Sequence, residues 1–279
     1  MFDREKWGEV LQSIGKNKLR AVLTGFAVFW GIFMLIILLG AGAGLRNGFS
    51  YNFRNTATNS IRIWGNETSK PWKGLPPNRS IELEDKDLEA LRSAIPGIQH
   101  ISGQYSVWRG QSKLQYGMNT GNYTIRGIQP EMRELQHQQI VKGRFINEVD
   151  QVQQRKVIVI AQDCREELFK KEDPLHKWVN VNGIPFEVVG LYEYETGGPE
   201  RGQRSPVFIP LAAAQKVFNA KGKVDDIMFS FADASIAGAK QAEERAIHTL
   251  ARRHSFDPTD ERALWVNNNV ENVGTMSNI

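Results

Sequence analysis

The residues of this chain that could do chemistry are few and scattered. The sequence holds five histidines and one cysteine, and none forms an HExxH motif or a comparable ligand spacing. His248 and His254 share one predicted helix but are not separated by the four residues that would place two ligands on one face. Cys164 lacks the signature of a nucleophile and has no second cysteine for a disulfide. We therefore predict no catalytic residue and no metal site.

Motifs that bind nucleotides or activate a serine are also missing from the sequence. No GxxxxGK[ST] phosphate loop and no GxSxG elbow occurs. The glycines of GAGAGL lie in an apolar helical run, whereas a dinucleotide fingerprint would follow a strand. Acidic pairs such as Glu243-Glu244 and Asp225-Asp226 are typical of a solvated surface. No cofactor is expected, and an enzyme is the least favoured interpretation.

Composition indicates folded protein outside this apolar run. Of the 279 residues, 41% are hydrophobic and 24% are charged, which is ordinary for a globular domain. The formal net charge is +4, and basic residues are interspersed with acidic ones along the chain. This pattern argues against a nucleic-acid partner.

The apolar run from Ala21 to Leu45 predicts a transmembrane helix, because it contains no ionisable side chain. A helix rises about 1.5 Å per residue, so about 20 residues cross a hydrocarbon core that is roughly 30 Å thick. A cleavable signal peptide, with Ala41-Gly42-Ala43 as its cleavage site, is disfavoured because its apolar region would be shorter. A buried core helix would be interrupted by polar residues, and an amphipathic surface helix would need a charged face.

The residues on either side of this run predict its orientation and its contacts. Residues 1–20 are expected to form a cytoplasmic amphipathic segment, because basic residues are denser before the helix than after it. Its predicted interfacial anchors are Trp7, Lys16, Lys18 and Arg20. Gly40, Gly44 and Gly48 recur at four-residue spacing, which predicts a face for close packing against another helix. Residues 46–60 are expected to form a stalk of low helical propensity.

The rest of the sequence predicts an α+β extracytoplasmic domain built from two strand–helix–strand patterns. The first pattern has alternating Ile61 and Ile63, the helical LEDKDLEALRSAI and a strand from Ile98; the second has a strand at 227–231, a helix at 235–254 and a final strand. Residues 61–104 and 223–270 are therefore expected to form one split α/β subdomain. Residues 105–222, with short strands and Gly, Asn and Pro turns, are expected to form an inserted β-rich subdomain, with GGPERGQRS as a mobile loop.

Several stretches together resemble one family, the MacB-type permeases of ABC transporters, which are related to lipoprotein-releasing and FtsX-like permeases. These stretches are NKLRAVLT, SIELEDKDLEALRSAIPGIQHIS, VKGRFINEVD, RKVIVIAQDCREELFKKEDPLHKWVNVNGIPFEVVGLYE and VFIPLAAAQKVF. The resemblance covers essentially the whole chain. His176 departs from the glycine that the family usually has in the DPLHK segment.

The resemblance implies a permease subunit of the bacterial inner membrane that works with an ABC ATPase. It implies a homodimer or heterodimer of permeases, a periplasmic adaptor as a further candidate partner, and coupling of ATP hydrolysis to movement of the outer domain, called mechanotransmission. Family substrates include peptides, lipoproteins and amphiphilic drugs. Family permeases carry three further membrane helices, so this chain is expected to be an N-terminal portion. The alternative is a membrane-anchored binding or regulatory module without transport.

Overall fold

The computed structural model describes residues 18–53, 59–194, 204–233 and 235–270. The helices are α1 (Lys18–Phe53), α2 (Asp85–Ala94), α3 (Met132–Leu135), α4 (Glu148–Val152), α5 (Gln162–Leu168), α6 (Leu211–Val217) and α7 (Ile236–His254). The strands are β1 (Ser60–Gly65), β2 (Leu83–Glu84), β3 (Ile98–Tyr116), β4 (Asn119–Ile128), β5 (Gln138–Gly143), β6 (Val157–Ala161), β7 (Trp178–Val181), β8 (Ile184–Tyr194), β9 (Val207–Pro210), β10 (Lys223–Val224), β11 (Asp226–Phe231) and β12 (Leu264–Asn268).

Helix α1 and the domain that follows it are separate compact units, one extending to Asn52 and the other beginning at Phe53. The helix is longer than the predicted 21–45, and residues 46–53 of the predicted stalk are helical. This extension follows from helix cooperativity, because adding a residue to a formed helix costs far less than nucleating one. Residues 1–17 of the predicted amphipathic segment lie outside the described residues.

One sheet links most strands of the second unit. Its order is β12-β1-β11-β3-β4-β9-β6-β8-β5, and β7 pairs with both β3 and β8. Strands β3, β4, β9, β6, β8 and β7 therefore form a closed ring of pairings. β2 and β10 form a separate two-stranded sheet.

The two ends of this unit share one hydrophobic core. Ile61 and Ile63 of β1, Phe229 of β11 and Leu91 of α2 are fully buried there, together with Leu250 of α7. Because side chains alternate along a strand, every second side chain of these strands points into this core. The apolar faces of α2 and α7 pack against them. The core thus joins residues that are far apart in sequence.

The middle of the chain has its own hydrophobic clusters. One lies on the strand ring and includes Tyr123, Ile125 and Phe186, with Cys164 of α5 packed against them. Another lies on the other face of the sheet, where Met132 of α3 covers it. β3 runs without a break through the predicted boundary at residues 104 and 105. The division into two subdomains stays a prediction.

The predicted strands and helices at both ends of the second unit are present. β1, α2, β11, α7 and β12 lie where periodicity places them, and Pro96-Gly97 follows the end of α2. Sequence reasoning missed α3, α4, β2, β5, β7 and β10. The predicted GGPERGQRS loop lies mostly outside the described residues.

Candidate functional site

Helix α1 is long and apolar enough, by length and composition, for one membrane crossing over Lys18–Ala41, which is 24 residues. Its large apolar side chains are exposed within its own unit, with Leu38 69% exposed. Trp30 lies between Phe26 and Phe33, with ring centroids 5.9 Å and 5.8 Å away. A helix that is apolar on all sides can bury these side chains in lipid.

The predicted membrane contacts are only partly within the described chain. Lys18 and Arg20 are exposed in the first turn of α1, whereas Trp7 and Lys16 lie outside the described residues. Gly40, Gly44 and Gly48 are all helical, and the space where a Gly40 Cβ would lie is open. Their roles as anchors and packing residues stay predictions.

Strand β1, the first strand after α1, is held on both sides. It pairs antiparallel with β11 and with β12. Arg62 donates two hydrogen bonds to Asp226 of β11, at 2.8 Å and 3.0 Å, and Gln104 donates a third to the same carboxylate at 3.0 Å. Asn59 also donates to the Phe231 carbonyl at 2.7 Å. A displacement of β1 would therefore be transmitted to both neighbouring strands.

A groove of about 860 Å³ lies among the ends of β5, β6, β7 and β8. Trp178 projects there and is 57% exposed, and the rim carries Arg144, Arg155 and His176. Each of these three rim groups has a partner within the chain. Arg144 donates to the buried Asp150 at 2.5 Å and 3.0 Å, Arg155 donates to Gln153 at 2.8 Å, and His176 lies 2.9 Å from a Glu187 oxygen.

Arg126 of β4 differs from these rim cations. Its Nε is buried and has no hydrogen-bond partner. No ion pair joins its guanidinium to a carboxylate anywhere in the described ranges. Burial lowers the pKa of Arg126, and the neighbouring positive charge of Arg62 lowers it further.

No catalytic arrangement is evident in the parts of the chain described here. Cys164 is fully buried, and burial raises the pKa of its thiol far above the usual range, so the nucleophilic thiolate is strongly disfavoured. Among the described residues, no group of three or more His, Cys, Asp or Glu could hold a metal ion.

Sequence reasoning missed Arg62, Arg126 and Asp226. The prediction that the Asp225-Asp226 pair lies on a solvated surface is wrong for Asp226, which is 2% exposed because it is paired with Arg62 on the neighbouring strand. The only local signal was the alternation of Arg62 and Trp64 with the buried Ile61 and Ile63. It indicates an outward face but does not identify the partner strand.

A family model described as MacB-like periplasmic core domain matches residues 21–246. The chain belongs to the MacB-like periplasmic core domain family. The resemblance predicted from the sequence motifs is thereby confirmed.

Two curated relatives are named as export ATP-binding/permease proteins. A Chlorobaculum tepidum "Macrolide export ATP-binding/permease protein MacB" is 24% identical over 255 residues, covering 91% of this chain and 38% of the relative. A Pseudomonas putida "Pyoverdine export ATP-binding/permease protein PvdT" is 24% identical over 271 residues, covering 92% of this chain and 39% of the relative. The chain thus spans well under half the length of these relatives.

Solved structures show the same fold. The periplasmic region of MacB from Actinobacillus actinomycetemcomitans matches with a TM-score of 0.63 and 20% identity, covering 82% of this chain and 97% of that one. The extracellular domain of the Gram-positive ABC-type transporter YknZ matches with a TM-score of 0.61 and 18% identity, covering 75% of this chain and 100% of that one. The predicted fold class, one apolar N-terminal helix and a mixed α/β domain, is confirmed.

Proposed function

We propose that this MacB-like chain is the first membrane helix and extracytoplasmic domain of an ABC-transporter permease. The observation that carries the proposal is the family match over residues 21–246, which includes nearly all of the apolar α1 and most of the fold that follows it. The chain would lie in the bacterial inner membrane, with its N-terminus in the cytoplasm and its second unit outside. ATP hydrolysis would belong to a partner chain or domain.

In the proposed mechanism, movement of the membrane helices acts on the outer domain through β1. Two observations support this role. β1 is the first strand after the helix in sequence, and it pairs with β11 and β12, which come from the other end of the chain. Arg62 and Asp226 add side-chain bonds between β1 and β11, and Gln104 of β3 bonds to the same Asp226 carboxylate. A pull on β1 would therefore displace the split α/β part as a unit.

The proposed partners are an ABC ATPase, a second permease subunit and a periplasmic adaptor. The cargo would be a peptide, a lipoprotein or an amphiphile that is exported or released. The names of the relatives, which mention macrolide and pyoverdine export, favour an export substrate of this general kind.

The decisive experiment isolates the chromosomally tagged protein from membranes of its native host in mild detergent and measures ATP hydrolysis in the isolate. We expect an ABC ATPase to be retained, with activity absent from a parallel isolation of an unrelated tagged membrane protein. Isolates with no retained ATPase would contradict the transporter proposal and favour an anchored binding module.

A further inference from the structure

The groove among the ends of β5, β6, β7 and β8 is lined by one row of side chains that crosses three strands. Strand register places Val157 of β6 on one side of Glu187 of β8 and Trp178 of β7 on the other. Residues directly opposite one another share a face of the sheet, and all three line the groove. Neighbouring strands lie about 4.8 Å apart, so Val157 and Trp178 are separated by about 10 Å. Trp178 therefore provides an exposed apolar surface at one end of the row.

The other end of the row is positively charged. Lys156 directly precedes β6, and its backbone carbonyl accepts a hydrogen bond from the Glu187 N–H at 2.9 Å, which holds it beside β8. Arg144 and Arg155 also line the groove, but both lie against the buried Asp150, at 2.5 Å and 4.0 Å. The side chain of Lys156 is exposed and forms no ion pair or hydrogen bond with any other part of the described chain.

The charges of the groove leave one cation in excess. Three basic side chains line it, and two carboxylates offset them, namely Asp150 behind the arginines and Glu187, whose oxygen lies 2.9 Å from His176 Nδ1. With His176 neutral, an excess of one positive charge lies at Lys156. Because Glu187 stands between Lys156 and Trp178, it repels a bound anion from the middle of the row and directs it to Lys156.

We propose that this groove binds a small amphiphile with a single carboxylate, which lies at Lys156 while the apolar body packs against Trp178. Charge complementarity selects an anion. The separation of about 10 Å suits a molecule whose charge and apolar body are at opposite ends. A volume of about 860 Å³ is within the range of small-molecule sites. The proposal concerns binding alone and holds for a transporter and for an anchored module alike.

A soluble probe tests both halves of the site. Phenylbutyrate carries a carboxylate and an apolar ring at opposite ends, and its amide lacks only the charge. The full chain, labelled with fluorotryptophan and held in nanodiscs, is titrated with each compound and followed by fluorine NMR, with the Trp178 resonance assigned from Trp178→Phe. We expect millimolar phenylbutyrate to shift the Trp178 resonance and to leave that of Trp265, which is exposed on the edge strand β12, unchanged. The amide should bind about fivefold more weakly, because a partly exposed charge pair is lost.

Variants locate the charged half. Lys156→Gln is expected to lower the affinity for phenylbutyrate to that of the amide, and Lys156→Arg to preserve it, since arginine keeps the charge. The matched control is Lys240→Gln, which removes an exposed lysine of α7 outside the groove and should bind as the wild type does. All of these lysine positions are exposed, so the substitutions should leave the fold intact.

Three results would overturn the proposal: equal affinity for the acid and the amide, unchanged affinity in Lys156→Gln, or tighter binding of phenylbutylamine than of phenylbutyrate. The last result would assign the groove to cations held by Glu187. Because no nucleotide or ATPase is added, a negative result here leaves the transporter proposal unaffected.

Discussion

Asp87 combines complete burial of its side chain with a negative charge. Its side chain is fully buried and accepts hydrogen bonds from Arg253 Nε at 2.5 Å, His254 Nε2 at 2.8 Å and the Glu84 backbone N–H at 2.8 Å. Burial alone would raise the pKa of Asp87. The hydrogen bonds from His254, Arg253 and Glu84 together outweigh it and hold the pKa below the usual value. The carboxylate thereby ties α2 to the end of α7.

Replacing this carboxylate should weaken the domain strongly at neutral pH. Asp87→Asn leaves Arg253 without its counterion and His254 without its charged hydrogen-bond partner, and we expect a loss of about 3 kcal/mol in the free energy of unfolding. Because the folded pKa is lowered, this stability is fully present above the ordinary Asp pKa of about 3.9 and is lost as pH falls through the folded pKa. The difference between wild type and variant should therefore shrink in acid. Denaturant unfolding from neutral pH downward measures it.

A second aspartate provides the control for that experiment. Asp173 pairs with Lys142 at 2.5 Å, but both side chains are about half exposed, at 53% and 52%. Asp173→Asn should cost less than about 1 kcal/mol, because solvent screens such pairs. Equal losses in the two variants would contradict the role assigned to burial at Asp87.

Helix α7 depends on its first and last turns as well as on its buried face. Ser235 caps it, and its Oγ accepts a hydrogen bond from the Gly238 N–H at 3.0 Å. The last turn carries Arg252 and Arg253, whose positive charges suit the carboxyl end of a helix. The chain leaves the helix at Ser255 in the left-handed conformation, with φ +53°. These local features define the two ends of α7.

Removing the cap should destabilise the domain modestly. Ser235→Ala removes the acceptor for an otherwise unbonded helix N–H, and we expect a loss of about 1 kcal/mol in thermal or denaturant unfolding. Ser93→Ala is the matched control, because the Ser93 hydroxyl is exposed and donates within its own helix to the Glu89 carbonyl at 2.9 Å. The control should change stability by less than about 0.5 kcal/mol. A larger effect at Ser93 would contradict the capping argument.

Elements with a local signature were predictable, and those defined by distant partners were not. Alternation in β1 and helical spacing in α7 place their buried faces directly. β7 is four residues long, and its place between β3 and β8 depends on pairings that its own sequence does not encode. The same limit explains the missed site, since Arg62 and Asp226 are 164 residues apart. The charged side chains of Arg62 and Asp226 suggested exposed positions. Only the strand register brings these two residues together.

At the scale of the whole molecule, the proposed topology places the second unit outside the cytoplasm. The chain is well suited to a labelling test, because its single cysteine, Cys164, is fully buried. Met118, in the turn between β3 and β4, is 99% exposed. A cysteine introduced there would therefore be the one accessible thiol in the described chain.

Met118→Cys should react with a membrane-impermeant maleimide in cells whose outer envelope is permeable to the reagent. Wild-type chain should remain unlabelled, because Cys164 is shielded. Lys16→Cys, on the predicted cytoplasmic side, should react after the inner membrane is opened and not before. Labelling of Lys16→Cys in intact cells, with protection of Met118→Cys, would reverse the proposed orientation. Gel mobility or mass spectrometry reports the label.

The predicted glycine face of α1 leads us to expect that two chains associate through this helix. Gly40, Gly44 and Gly48 lie on one side of the helix, where the absence of side chains allows a second backbone to approach closely. Gly40→Leu fills that side with a large side chain. We expect it to weaken chain–chain association in bilayers by about tenfold, measured as energy transfer between labelled chains at increasing lipid dilution.

Gly31 supplies the control for this prediction, because it precedes Gly40 by about two and a half helical turns and so lies on the opposite side of α1. The space where a Cβ would lie is open at both glycines within the chain itself, so neither leucine should disturb the fold of a single chain. Gly31→Leu should therefore associate as the wild type does. Equal weakening by both variants would indicate a general effect of bulk in the membrane, and no weakening by Gly40→Leu would remove the glycine face from the dimer contact.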